Sequence, residues 1–276
     1  MNAYERVCSG GMKVSPIRFV LSLMLVALTA CVAEVDSIGE IDSSEESIIG
    51  GEVDKSTRSV VAIVAWNNQH SSTCSGTIVA PHVVLTAAHC LEKAVADKSM
   101  TVQVFMGDSL SSPWPWLFRS VKEFHMHPKY QPGMVTLGND IGVVITNGKL
   151  GRAPVPMNRT QLDDNDVGTP IRYVGFGMSK ANDGTTTGTR RSAWLTMNWV
   201  TPGLIGSKSG GDAFTCRGDS GGPGLVSLDG VVRVVGVHSY GAFACNGTSW
   251  STRADQFAES FVDPFIAKFD PGFAPL

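Results

Sequence analysis

Charge is scarce in this chain. Only 17% of its 276 residues are Asp, Glu, Lys or Arg, and no run of them is basic, so the electrostatic footprint of a nucleic-acid-binding protein is missing. Low-complexity tracts are absent, which argues against extended disorder, and no internal repeat is visible. The apolar run from Phe19 to Ala27 is too short to span a bilayer comfortably. Cysteines number six, and Cys8 and Cys31 fall in the N-terminal stretch. Helical periodicity is almost confined to the C-terminus.

What remains is a chain with 43% hydrophobic residues and 30 glycines, long enough to bury one large core or two modest ones. Short runs rich in Val, Ile and Thr recur at 60–65, 77–79, 102–106, 141–146, 171–174 and 231–237. Gly, Pro, Asn and Asp punctuate them, as at Asn67-Asn68, Pro132-Gly133 and Asn182-Asp183-Gly184, so an all-β barrel or sandwich is expected. At the C-terminus Phe257, Phe261, Phe265 and Phe269 repeat every four residues, which predicts one face of a helix interrupted by Pro264.

The N-terminus has the pattern of an export signal over residues 1–30, with Lys13 and Arg18 ahead of the apolar run. Met12 is an alternative start that gives a signal of ordinary proportions. Leu28-Thr29-Ala30-Cys31 resembles the lipobox of bacterial lipoproteins, in which Cys31 becomes the lipidated first residue; the other reading is a plain secretory signal followed by a cysteine. With Val32 next, the lipobox reading sends the protein to the outer membrane. Residues 32–47 carry six acids and no base, which marks 31–47 as a solvated linker or propeptide ahead of a folded body at 48–276. The four later cysteines, Cys74, Cys90, Cys216 and Cys245, suggest two disulfides in an exported chain, and spacing alone allows three pairings.

Three separated segments carry chemistry. Thr86-Ala87-Ala88-His89-Cys90 supplies an imidazole, Asn139-Asp140-Ile141 an acid ahead of an apolar strand, and Gly218-Asp219-Ser220-Gly221-Gly222-Pro223 a hydroxyl among glycines. A serine hydroxyl is a poor nucleophile until a neutral imidazole removes its proton, and the imidazole must be held in one tautomer by a carboxylate.

These segments, the Ile48-Ile49-Gly50-Gly51 start and the Ser239-Tyr240-Gly241 strand, in this order, resemble the trypsin and chymotrypsin family of serine endopeptidases over nearly everything after residue 47. The resemblance implies two six-stranded antiparallel β-barrels, at about 48–150 and 160–270, with a C-terminal α-helix. It implies a catalytic triad of His89, Asp140 and Ser220, and an oxyanion hole made by the backbone N–H groups of Gly218 and Ser220. The pairings it implies are Cys74–Cys90 and Cys216–Cys245; other disulfides common in animal relatives are missing, which fits a bacterial member. It also implies a zymogen, cut before Ile48 by an activating protease so that the new ammonium pairs with Asp219. No Lys or Arg precedes Ile48, so the activator would not be trypsin-like.

In such a family Phe214, Thr215, Arg217, Ser239, Tyr240, Gly241 and Ser249 would contact the peptide or protein substrate. Phe214, six residues before the serine, would form the pocket floor where trypsin has an aspartate. A pocket without that carboxylate disfavours Lys and Arg, and a shortened one takes small or medium apolar residues such as Ala, Val or Leu; the alternative has Phe214 in the core and a deeper pocket. Ser239 and Gly241 would pair with the substrate as an added strand.

No cofactor or metal is implied. His125-x-His127 precedes Pro128 and reads as structure, and Asp108 lacks a second carboxylate near Trp116 for a calcium loop. Asn158-Arg159-Thr160 and Asn246-Gly247-Thr248 match glycosylation sequons, a weak signal. The residues 218–222 also fit G-x-S-x-G, but the serine follows rather than precedes its acid and histidine, against an α/β-hydrolase. Arg217-Gly218-Asp219 spells an adhesion tripeptide by coincidence. A protease homologue turned binding protein is the competing class, and the intact triad and start segment weigh against it.

Overall fold

The computed structural model describes residues 48–111 and 113–274. The signal, the acidic segment and Cys31 lie outside the described residues. Two closed antiparallel β-barrels of six strands each make up the body. The first comprises β2 (Val60–Trp66), β3 (Ser71–Ala80), β4 (Val83–Thr86), β5 (Thr101–Phe105), β6 (Phe118–Met126) and β7 (Gly142–Thr146), closing in the order β2-β3-β4-β7-β6-β5. The second comprises β8 (Pro170–Gly175), β9 (Arg191–Val200), β10 (Leu204–Lys208), β11 (Pro223–Leu228), β12 (Val231–Tyr240) and β13 (Ser249–Arg253). Its ring closes where β8 pairs with both β11 and β9. A two-residue strand, β1 (Glu52–Val53), adds to the outside of β9.

The period-2 pattern explains why strands such as Val60-Val61-Ala62-Ile63 are apolar on both faces. Val61, Ile63 and Ala65 point into the lumen of the first barrel. Val60 and Ala62 point the other way, into a cluster shared with Leu225, Val234 and Val237 of the second barrel. The second lumen is filled by Ile171, Tyr173, Leu195, Met197, Ile205 and Val235. The chemistry-bearing loops lie where the two barrels meet.

Each terminal segment lies on the barrel it does not belong to. β1 sits on the second barrel, while the C-terminal segment packs Phe257 and Phe261 against His127, and Phe265 against His125, on the first. The four phenylalanines therefore have an apolar surface to cover, but Pro264 does not interrupt their helix as expected. Residues 258–262 form a π turn, with Val262 N–H donating to the Phe257 carbonyl, and Pro264 lies in the first turn of α2 (Asp263–Phe269). A missing N–H costs nothing in a first turn, where that donor has no helical partner.

One polar anchor ties the barrels. Arg190, just ahead of β9, is fully buried; its guanidinium donates to the carbonyls of Asp54, Val60 and Gly107 and pairs with Asp108 at 2.5 Å. Val60, Gly107 and Asp108 belong to the first-barrel half. Replacing the guanidinium by an apolar chain leaves those carbonyls dry and unpaired. Arg190→Met is expected to lower unfolding free energy by about 3 kcal/mol, read from urea denaturation against the parent chain.

Candidate active site

His89 sits in a single 3-10 turn, Ala88–Cys90, that follows β4, and Asp140 directly precedes Ile141 and β7. β4 and β7 are hydrogen-bonded neighbours, so the imidazole and the carboxylate start from adjacent strand ends. Asp140 is fully buried. Its Oδ1 accepts the backbone N–H of His89 at 2.8 Å, and its Oδ2 lies 2.7 Å from His89 Nδ1. Ser239 of β12 donates its hydroxyl to the same Oδ2 at 2.5 Å, and Thr252 of β13 donates to the Asp140 carbonyl. Burial alone would raise the Asp140 pKa; the hydrogen bonds from His89 and Ser239 and the charge of His89 outweigh it and hold the carboxyl below its ordinary range. The carboxylate therefore leaves Nδ1 protonated and Nε2 as the basic nitrogen.

Ser220 belongs to the loop before β11 in the second barrel. Its carbonyl accepts from Ser75 N at 2.8 Å and lies 3.6 Å from Cys90 Sγ, which is itself 3.8 Å from His89 Nε2. Imidazole and serine are thus neighbours around one sulfur. Among the described residues no hydrogen bond joins His89 Nε2 to the Ser220 hydroxyl; a catalytic contact of this kind commonly tightens only when substrate is bound. Cys74, His89 and Cys90 bring ligand atoms within 4.8 Å of one another, but both sulfurs are consumed in the Cys74–Cys90 disulfide and offer no thiolate to a metal.

The backbone N–H groups of Gly218 and Ser220 have no partner among the described residues, leaving two donors free on the serine loop. Gly218 has φ +99°, and a Cβ there would meet the Gly177 Cα at 2.8 Å, so only glycine lets the loop turn this tightly. Ser75, which the sequence did not flag, pins the loop from the first barrel. Its hydroxyl donates to the Gly218 carbonyl and accepts from Phe176 N, each at 2.8 Å. Adjacency to Cys74 was the only signal in the sequence that could have pointed to it.

The second disulfide joins Cys216 to Cys245 beside a cavity of about 190 Å³ next to Ser220. Thr215, Arg217, Tyr240 and Gly241 line it as the sequence suggested, and His238 and Phe243 line it unannounced. Phe214 and Ser249 do not. Phe214 instead pairs its backbone with Ile49, because the chain at 48–51 runs alongside it, and Ser249 stays buried behind the wall with its hydroxyl 2.5 Å from that of Thr215. On β12 Ser239 turns to Asp140 while 238 and 240 line the cavity, at a point where the pairing with β13 shifts register between His238 and Tyr240.

Asp219 is buried, which removes the adhesion tripeptide from the surface, and Asn158 is buried with its amide donating to the Thr160 carbonyl, so its sequon is not displayed. The Asp219 carboxylate accepts from Gly177 N at 2.9 Å and Cys216 N at 2.8 Å. Ile48 lies in the second-barrel core with φ +37°, a strained value for a β-branched residue.

Residues 48–260 match the family model described as Trypsin. The chain belongs to the trypsin family. Chymotrypsin-like elastase family member 1 of Bos taurus is similar, with 29% identity over 81% of this chain and 90% of its own length. So are the trypsins of Phaedon cochleariae, with 27% identity over 83% of this chain and 90% of their own length, and of Saccharopolyspora erythraea, with 28% over 70% and 86%. In this trypsin-family chain desolvation pushes the Asp219 pKa up to about 7, against the opposing bonds from Cys216 and Gly177. An acid whose folded pKa is raised keeps a proton that the unfolded chain has released, so stability falls as pH rises from the ordinary 3.8 towards 7. The full chain carrying Ser220→Ala should lose on the order of 4 kcal/mol across that window relative to the same chain with Asp219→Asn added, measured by urea denaturation at each pH.

Proposed function

We propose that this trypsin-family protein is an exported serine endopeptidase in which His89, Asp140 and Ser220 act as the triad. The observation that carries the reading is one buried carboxylate binding both N–H groups of His89, with the imidazole beside a serine loop that has two free amides. Ser220 Oγ attacks the carbonyl carbon of the scissile peptide while His89 Nε2 takes the hydroxyl proton. The oxyanion accepts hydrogen bonds from Gly218 N–H and Ser220 N–H, each worth about 3 kcal/mol in the transition state. His89 then returns the proton to the departing amine, and water, activated by the same imidazole, releases the acyl group from Ser220.

The chain is synthesised as a zymogen in this reading. A cut between Ser47 and Ile48 frees an ammonium that can pair with the Asp219 carboxylate, whose raised pKa in the uncut chain reflects burial without a cation. It also releases the strained backbone at Ile48. Export rests on the N-terminal signal pattern and on the two disulfides, which persist in oxidising compartments. Cys31 would anchor the uncut protein to a membrane through lipid, and the activating cut would free the protease from it.

Substrates carry a small or medium residue without positive charge before the scissile bond, such as Ala, Val or Leu. Among the described residues no carboxylate lines the cavity to receive Lys or Arg, and Arg217 stands at it already. The elastase name of the bovine relative is compatible with that preference. The active enzyme should begin at Ile48 by N-terminal sequencing and turn over a peptide panel least after Arg. Ser220→Ala should lower kcat by about 10⁶-fold, and an active enzyme starting elsewhere or fastest after Arg would contradict the proposal.

A further inference from the structure

Among the described residues His238 is the one buried ionisable group at the cavity that the mechanism leaves unused. It is 3% exposed and lines the cavity beside Ser220. Nδ1 is sealed from solvent without a hydrogen-bond partner, and no side-chain hydrogen bond of the ring to any described residue exists. Nε2 is not sealed in this way, so it is the nitrogen the cavity reaches. The backbone fixes the ring's position: His238 N–H donates to the Gly222 carbonyl, and its own carbonyl accepts from Gly221 N, both on the serine loop. Tyr173 packs edge-on against the imidazole, with its hydroxyl already engaged by Ser207 and Ser251.

Nδ1 is out of a ligand's reach, so a ligand in the cavity pairs with the imidazole at Nε2, where an N–H on a dry wall gains most from an acceptor. The rest of the lining names the partner's charge. Arg217 carries a positive charge there, held over the Phe243 ring at 4.2 Å, and Thr215 adds a hydroxyl. Among the described residues neither Asp nor Glu lines the cavity, and the buried Asp219 turns its oxygens to the Gly177 and Cys216 amides.

We infer that the cavity selects an acidic side chain at the residue whose carbonyl Ser220 attacks, with His238 Nε2 as the group that binds its carboxylate. The inference rests on the endopeptidase reading and deepens it: within the side chains that lack positive charge, Glu and Asp rank above their neutral amides. Burial holds the His238 pKa down at about 3; the charge of His89 lowers it further and that of Asp140 opposes. A bound carboxylate adds the negative charge that reverses this balance, so His238 either donates Nε2–H as a neutral ring or takes up a proton from water with the substrate. Lys and Arg meet the opposite situation, two basic groups and no acceptor carboxylate.

The test uses the full chain after activation, with active enzyme counted by organophosphate labelling of Ser220. Peptide pairs differ only by Glu against Gln, or Asp against Asn, before the scissile bond. The acid should be cleaved with kcat/KM at least about tenfold above the amide. His238→Val should bring that ratio close to one per labelled site. His238→Gln, which keeps an N–H donor but cannot take up a proton, should fall between and serves if the valine variant does not fold. A parent ratio of one or less, or an acid preference that survives both substitutions, overturns the inference while the protease reading stands. A parent enzyme that fails to label overturns the protease reading itself.

Discussion

A single buried carboxylate organises this molecule. Asp140 has no solvent to satisfy it, so every lone pair it carries must be met by protein. The donors come from both barrels: the backbone and ring of His89 from the first and Ser239 from the second, while Thr252 of the second holds the Asp140 backbone carbonyl. An ionised acid placed there without them would be destabilising; with them it fixes a ring orientation, a tautomer and the approach of two domains at once. The site therefore cannot exist in either barrel alone.

The remaining inter-barrel contacts follow the same logic. Apolar side chains of β2 and β4 fill one cluster with those of β11 and β12, which supplies the bulk of the attraction but little direction. Direction comes from the polar ties. Arg190 reaches across to three carbonyls, and Ser75 holds the serine loop by its backbone and hydroxyl within one residue of the Cys74–Cys90 bridge. Because Ser75 and Cys90 belong to the first barrel and Ser220 to the second, the nucleophile is positioned from the side that carries its base. Preorganisation of this kind means the donors need not reorient when charge develops on the substrate.

Much of this was legible in the sequence where function depends on residues close together in the chain. The His89, Asp140 and Ser220 segments, the glycine at 218 and the short apolar strands each declare themselves within a few residues, and the structure sets the first two side chains in contact. What could not be read depends on which distant segments meet. Phe214 was expected on the pocket floor, but the 48–51 segment runs beside it, and Ser249 is hidden behind Thr215. Ser75 and Arg190 look like ordinary strand and loop residues until their partners, about a hundred positions away, are brought up. His238 was one residue outside the Ser239-Tyr240-Gly241 signature, and its place at the cavity depends on a register shift between β12 and β13 that the chain does not announce. Pro264 was read as a break because its place in the helix depends on a π turn that periodicity does not reveal.

Proton NMR of the resting enzyme addresses the Asp140 constraint most directly. A buried Nδ1–H held 2.7 Å from an ionised carboxylate should give a far-downfield resonance that exchanges slowly with water. It should vanish in Asp140→Asn while the β-sheet circular dichroism is retained and kcat drops by about 10⁴-fold. A downfield spectrum unchanged by Asp140→Asn, or an enzyme that keeps its kcat without that carboxylate, would contradict the account.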